Sequence, residues 1–242
     1  MEKRRSKILY TDHKFCPGCG HGIVNRLIAE VLEEMGEDKS AICAVAVGCS
    51  SLMPDTYGVD IVQSQHGRAA AVAVGLKRCR PENMVFSYQG DGDALAIGFS
   101  ETMYAAVRNE NITVILINNN NFGMTGGQMS PTTLENQRTT TSPYGRDVSL
   151  TGNPLDAIRL MSTLDVAYLA RGTMTDTKEI NKTKKYIRRA FEAQKNKEGY
   201  SLVEILSPCP TNWGMTPLNA CKQINQVVQT VYPLGEFKGG GK

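Results

Sequence analysis

Met84-Val85-Phe86-Ser87-Tyr88, then Gly90-Asp91-Gly92-Asp93, is the stretch whose reading decides the fold. An apolar strand runs into a glycine turn. The run Ala94 to Val107 follows with helical character, and a second apolar strand, Ile112 to Ile117, ends in Asn118-Asn119. Strand, glycine turn, helix and strand make one βαβ unit with its polar residues at the strand ends. In open parallel sheets ligands bind there, because the loops face a crevice and the following helix offers free backbone N–H groups to an anion. Gly90 and Gly92 let the backbone approach closely, and Asp91 and Asn119 supply hard oxygen donors. Such donors suit Mg²⁺ bound to a phosphate, since Mg²⁺ keeps an octahedral oxygen shell and takes only one or two protein carboxylates.

The fold class expected is α/β, a mostly parallel sheet with helices on both faces. At 242 residues the chain suits one such domain, 1–242. A hydrophobic content of 41% and a charged content of 21% are those of an ordinary globular protein. A formal charge of +3 is too small and scattered to point to nucleic acid, and the basic run Lys182 to Arg189 interleaves with Tyr186 and Ile187 as on a solvated helix face. No apolar run approaches the ~20 residues of a membrane span, and Met1 to Lys7 lacks the apolar core of a secretion signal. A cytoplasmic location is the expectation.

Seven cysteines, an odd number, argue against a disulfide framework. Met1 to Lys14 reads as a basic arm. Cys16-Pro17-Gly18-Cys19-Gly20-His21 then brings two thiols together in a tight turn. Zinc knuckle, thioredoxin-type dithiol, haem attachment and half of an iron-sulfur site compete here. Gly20 disfavours haem, the basic arm is a poor preceding strand for a thioredoxin-type pair, and zinc or iron-sulfur both need two further ligands. The next helix covers about Gly22 to Met35, and Ala41 to Val47 reads as a strand buried on both faces, ending in Gly48-Cys49-Ser50. Ser51 to Gln63 reads as irregular. An alanine-rich helix then opens at Ser64-Gln65-His66-Gly67-Arg68-Ala69, and its small residues suit burial between the sheet and a second surface.

Beyond the βαβ unit, Phe122-Gly123-Met124-Thr125-Gly126-Gly127-Gln128 is a glycine-rich loop in which Thr125 offers a hydroxyl donor. Met129 to Asn153 has no periodicity and is expected to act as a lid or subunit contact. Helices at Pro154 to Leu164 and Thr177 to Gln194, strands at Val166 to Ala170 and Ser201 to Leu206, and a last helix at Pro217 to Val231 complete the chain, with a loose glycine-rich end. Ser207-Pro208-Cys209 closes the final strand. Cys16, Cys19, Cys49 and Cys209 therefore lie in loops, and Cys43, Cys79 and Cys221 lie in regular elements as core thiols.

The spacing from Gly90-Asp91-Gly92 to Asn118-Asn119 resembles the diphosphate-binding motif of thiamine diphosphate enzymes. That resemblance implies Mg²⁺ held by Asp91, the Asn119 side chain and the Asn121 carbonyl. Four thiolates could bind Zn²⁺ or a [4Fe-4S] cluster by count; beside thiamine diphosphate only the cluster has a purpose, as a single-electron acceptor. Cys16-Pro17-Gly18-Cys19-Gly20, Gly48-Cys49-Ser50, His66-Gly67-Arg68-Ala69, Gly90-Asp91-Gly92-Asp93, Thr125-Gly126-Gly127-Gln128 and Ser207-Pro208-Cys209 occur in the order seen in 2-oxoacid:ferredoxin oxidoreductases. The chain resembles the thiamine-binding β subunit of that family, of the 2-oxoglutarate or 2-oxoisovalerate type.

The resemblance implies that Cys16, Cys19, Cys49 and Cys209 ligate the cluster, that Val47, Gly48, Cys49, Ser50, Gly92, Asp93, Gly123 and Met124 contact the cofactor, and that Gly90, His66 and Thr125 lie with them; His66 is the candidate catalytic residue. It implies CoA-dependent oxidative decarboxylation of a 2-oxoacid to acyl-CoA and CO₂, with electrons passed to ferredoxin. An α subunit with a pyrimidine-binding domain would supply the activating Glu, joined in the four-subunit form by γ and ferredoxin-like δ subunits. The isolated chain is accordingly expected to be inactive. Phe15 stands where the family has Trp, and Asn121-Phe122 where an apolar residue and Tyr are usual. Two rivals are a non-redox thiamine diphosphate decarboxylase or synthase subunit, which needs none of the loop cysteines, and a zinc-stabilised nucleotide-binding module, which leaves the Asn pair idle.

Overall fold

The computed structural model describes residues 5–239. Seven strands form one sheet: β1 (Ile42–Val45), β2 (Asp60–Gln63), β3 (Val85–Gly90), β4 (Thr113–Asn118), β5 (Tyr168–Thr173), β6 (Ser201–Leu206) and β7 (Gly235–Lys238). Their order is β2-β1-β3-β4-β6-β5-β7, parallel throughout except for β7, which runs antiparallel to β5. β4, β5 and β6 are buried along their whole length, which explains their near-continuous apolar sequences. α1 (His21–Met35) and α6 (Thr177–Lys195) cover one face through Val24, Leu27, Ile28, Ile187 and Phe191. Glu30 and Glu34 of α1 reach across to Lys184 of α6 at 2.7 Å. α2 (Ala69–Cys79), α3 (Phe99–Val107) and, after a single turn α4 (Val148–Thr151), α5 (Ala157–Met161) cover the other face. The sheet direction reverses its winding between β1 and β3, so the carboxyl ends of those two strands splay around a crevice.

Several expectations need correction. Ser51 to Gln63 is not irregular throughout: it holds a 3₁₀ turn, Cys49–Leu52, and the edge strand β2, whose exposed side chains hide it from a search for apolar runs. The basic arm, as far as it is described, is docked: Ile8 is buried and Leu9 bridges to Tyr57, while Met1 to Arg4 lie outside the described residues. The helix expected from Ala94 begins with a π turn, Asp93–Ile97, before α3. The last helix keeps its expected extent, Pro217 to Val231, but as α8 (Pro217–Gln223), a π turn, Ile224–Val228, and α9 (Gln229–Val231), and a short α7 (Pro210–Trp213) precedes it. α2 buries Ala69, Ala70, Ala73 and Val74 but leaves Ala71 exposed, so within this chain it has one covered face. Cys43 is buried as expected; Cys79 is exposed and is no core thiol, because the helix ends there at the surface. Of the loose end, Gly240 to Lys242 fall outside the described residues, and Gly239 follows directly on β7.

Met129 to Asn153 is no free lid at its base. Ser130, Thr132, Thr133, Leu134 and Arg146 are buried. The Arg146 guanidinium donates to the carbonyls of Pro131 at 2.9 Å, Thr133 at 2.6 Å, Gly152 at 3.2 Å and Asn153 at 3.2 Å, cinching the segment into a loop. Its tip keeps the expected exposure, with Tyr144 and Leu150 open to solvent. No helix among the described residues is long and apolar enough to cross a membrane.

Candidate functional site

The turn after β3 places Asp91 in the interior, 1% exposed. Its Oδ2 accepts from Ser130 Oγ at 2.6 Å and from the Thr132 hydroxyl. Burial raises the Asp91 carboxyl to about 6, against the pull of those hydroxyls and of backbone N–H groups. With Oδ2 occupied, Oδ1 is directed at Asn119, in the turn after β4. There the Asn119 side-chain oxygen faces Asp91 Oδ1 at 3.1 Å and the Asn121 carbonyl oxygen at 2.7 Å. Three oxygens face one another, and the one hydrogen recorded at the Asn119 oxygen is that of the Asn121 N–H, at a long 3.4 Å. Two arrangements relieve this: the amide turns over and its NH₂ donates to both neighbours, or a cation sits among the three oxygens.

The asparagine turn is itself held from below. Asn118 Nδ2 donates to Glu204 Oε1 at 2.7 Å, and Asn118 Oδ1 accepts from the Asn120 backbone at 3.1 Å. Asn120, at φ 56°, takes the left-handed conformation that Asn tolerates, and its side chain donates to the Thr132 carbonyl at 2.9 Å. Glu204 also takes the Arg171 guanidinium at 2.7 Å, both fully buried. Ser130, Thr132, Glu204 and Arg171 were not singled out in the sequence. Ser130 and Thr132 lie 39 and 41 positions from Asp91, Glu204 lies 86 from Asn118 and Arg171 lies 33 from Glu204, and nothing local marks them.

A cleft opens between these turns and the end of β1. Val47, Gly48, Cys49 and Ser50 line one wall, Gly90 to Asp93 the floor, and Gly123, Met124 and Thr125 the other wall, with Asn119, Asn121 and His66 at the sides. The structure thus brings all the expected non-cysteine site residues, and Cys49, into one cavity. Gly92 has no room for a side chain: a Cβ there would lie 2.4 Å from the Phe122 ring. His66 Nδ1 pairs with Asp93 Oδ1 at 2.5 Å, and that carboxylate is also gripped by the Gly67 N–H at 2.6 Å and by Gln89 Nε2 at 2.8 Å. Asp93, expected against the cofactor, therefore has both oxygens engaged and fixes the His66 ring. The Thr125 hydroxyl is likewise engaged, donating to Gln128 Oε1 at 2.6 Å.

Behind the Cys49 wall lie the other loop thiols. Cys19 is pushed up to about 12 and Cys49 to about 11 by burial and then by neighbouring thiols; Cys19 senses Cys209, Cys49 and Cys16, while Cys49 senses Cys209 and Cys16. Cys209 is pushed up by burial, with the Asn212 N–H groups working against it and Cys16 with it. Each of the four thus lies within electrostatic reach of the other three. Among the described residues, however, no three His, Cys, Asp or Glu side chains are close enough to share one ion. The CPGCG turn is pressed against the end of β6, where a Cβ on Gly20 would meet Ser207 Oγ at 2.5 Å. His21, which also lines the cleft, hydrogen-bonds Tyr88 at 2.7 Å, and burial lowers it to about 4.

Residues 46–205 match the family profile described as thiamine pyrophosphate enzyme, C-terminal TPP binding domain. Ketoisovalerate oxidoreductase subunit VorA of Methanothermobacter thermautotrophicus is 40% identical over 225 residues, covering 93% of this chain and 47% of the relative. 2-Oxoglutarate synthase subunit KorB of Methanocaldococcus jannaschii is 36% identical over 84% of this chain and 71% of the relative. Among solved structures, 2-oxoglutarate:ferredoxin oxidoreductase from Magnetococcus marinus, with 2-oxoglutarate, coenzyme A and succinyl-CoA bound, superposes with a TM-score of 0.75 and 31% identity, covering 87% of this chain and 70% of that one. The chain spans about half the length of the ketoisovalerate relatives.

Proposed function

This chain belongs to the thiamine pyrophosphate-binding subunits of 2-oxoacid:ferredoxin oxidoreductases, and we propose that it holds thiamine diphosphate, Mg²⁺ and a [4Fe-4S] cluster for the CoA-dependent oxidative decarboxylation of a 2-oxoacid. One observation carries the reading: Cys49 lines the cleft and belongs to the four-thiol group, so the two sites share a wall.

The residues fit the groups. Asp91 Oδ1, the Asn119 side-chain oxygen and the Asn121 carbonyl converge as an oxygen donor set, which Mg²⁺ accepts and then completes with phosphate oxygens. Around a single Zn²⁺ four thiolates all bind at about 2.3 Å. Four loop thiols within electrostatic reach of one another are a ligand set that a [4Fe-4S] cluster would accept. When bound, thiamine diphosphate supplies the nucleophilic carbon and the electron sink of the reaction.

This chain's own part is to bind and orient. Gly92 and the Phe122 ring shape the floor on which the cofactor would rest. Ser130 and Thr132 hold Asp91 Oδ2, leaving Oδ1 as the oxygen that would face the metal. Asp93, as acceptor, keeps the His66 proton on Nδ1 and presents Nε2 as the ring's free nitrogen, able to accept or return a proton. Val47 and Met124 contribute partly exposed apolar side chains to the cleft lining, which together with the 40% identity to the ketoisovalerate oxidoreductase subunit supports an aliphatic 2-oxoacid of that kind. The α subunit would contribute the pyrimidine-binding domain and its Glu, and ferredoxin would take the electrons.

Anaerobic co-purification with the bound partners, followed by iron, sulfide and thiamine analysis, tests this. About four irons per chain together with thiamine diphosphate are expected, and a screen of 2-oxoacids should then rank ketoisovalerate first. Zinc without thiamine overturns the reading.

A further inference from the structure

Resting on that assignment of the two sites, we infer that Asn212 couples them, so that cluster charge at Cys209 and cofactor occupancy of the cleft are linked through one side-chain amide. Asn212 lies in α7, the short helix that Cys209 opens. Its Nδ2 is 3.5 Å from Cys209 Sγ, 2.8 Å from the Gly123 carbonyl and 3.4 Å from Asn121 Oδ1. One end of this amide therefore touches a cluster thiol, the wall of the thiamine cleft and the side chain of a metal-loop residue.

An amide nitrogen carries two hydrogens, and here three acceptors surround it. While Cys209 is a thiol, its own S–H can donate to Asn121 Oδ1, 4.0 Å away, and the set is balanced. A ligating thiolate has no proton and only accepts. It then draws one Asn212 hydrogen to sulfur and leaves the other for the Gly123 carbonyl. An extra electron on the cluster strengthens the N–H···S bond at the expense of the two oxygen acceptors, because hydrogen bonds to charged acceptors are the stronger ones. Hydrogen bonds to cluster sulfurs in turn set the reduction potential.

The amide is packed on one side by the glycine-rich loop. A Cβ on Gly127 would lie 3.1 Å from Asn212 Cβ, so the glycine-rich loop packs directly on this residue. The next residue, Trp213, donates Nε1 to the Asn119 carbonyl at 3.2 Å, so a small movement of α7 reaches the metal turn as well. Asn212 is a positioning residue: it acts on the cleft and on the cluster through Gly123 and Cys209. Linkage makes the effect reciprocal. If cofactor binding shifts the cluster potential, reduction shifts cofactor affinity by the same factor.

The test uses the anaerobically purified complex with its partner subunits, wild type and Asn212→Leu. The cluster of this chain is identified by the electron paramagnetic resonance signal lost in Cys16→Ser, and its potential is titrated with and without thiamine diphosphate and Mg²⁺. In the wild type the cofactor should displace the potential by about 59 mV, equivalent to a tenfold difference in affinity between oxidised and reduced forms. In Asn212→Leu with its iron complement intact, that displacement should vanish, and Asn212→Gln, which restores the donor, should recover part of it. Should the leucine variant not retain iron, Asn212→Ser is titrated in its place. An unchanged displacement in an iron-replete variant, or none in the wild type, overturns the coupling. A wild-type complex without iron or thiamine refutes the assignment of the sites instead.

Discussion

The two halves of the site are built differently. On the proposed diphosphate side three of the four acidic and amide anchors are held before any ligand arrives, Asn119 being the exception: Asp91 is held by Ser130 and Thr132, Asn118 by Glu204, and Asp93 by Gln89 and Gly67. On the thiol side Cys16 is exposed, Cys19 and Cys49 are half-buried, and all three of Cys19, Cys49 and Cys209 are pushed above the usual thiol range. A carboxylate in a hydroxyl cage is preorganised for a cation. The loop thiols run from exposed Cys16 to buried Cys209, and the cluster proposed for them would bind them as thiolates. Metal-ligand binding of this second kind is folding free energy as well as binding free energy.

The largest expected effect separates the halves outright. Cys16→Ser should take the complex from about four irons per chain to nearly none, measured by iron and sulfide analysis. Because Cys16 is exposed, the fold and Mg²⁺-dependent thiamine binding should survive. Loss of both together would break the distinction. Asp91→Asn is the converse change: cofactor binding by equilibrium dialysis should weaken by more than about 100-fold, beyond the 10- to 100-fold typical of groups that only support a ligand, with iron unchanged.

Glu204→Gln probes the support beneath both halves. It removes the more buried of the two carboxylates, Glu204 and Asp156, that fully buried Arg171 faces, at a cost of about 3 kcal/mol. The thermal midpoint should fall by roughly 6–12 °C. The smallest effect is reserved for Thr132→Val, which keeps the shape and deletes one hydroxyl from Asp91. Cofactor affinity should drop by about tenfold, and a change confined to thermal stability would show that the hydroxyl cage serves folding alone.

Much of the cleft was legible because its residues sit at strand ends within contiguous motifs. Gly48 to Ser50, Gly90 to Asp93 and Asn119 to Thr125 announce themselves by glycine and by the apolar strands before them, and the sheet converges them. β2 and β7 escaped because edge strands carry exposed, polar side chains that interrupt the apolar pattern. The base of the 129–153 segment escaped for another reason. Its order comes from Arg146 donating to backbone carbonyls, and from hydroxyls reaching Asp91, neither of which leaves a periodic trace.

What the sequence by itself determined is the inventory: the βαβ unit, the four loop cysteines sorted from the rest, and an order of motifs that identifies the family. These follow from local rules, since apolar runs, glycine turns and short spacings act over a few residues. Only the tertiary structure decided which groups complete the chemistry. Ser130 meets Asp91 across 39 positions, Glu204 meets Asn118 across 86, and Asn212 meets Gly123 across 89. Such contacts depend on the order of strands in the sheet and on burial, where an unpaired polar group is too costly to leave unmatched. The pairing is therefore settled by the fold as a whole and is written in no single stretch of the chain.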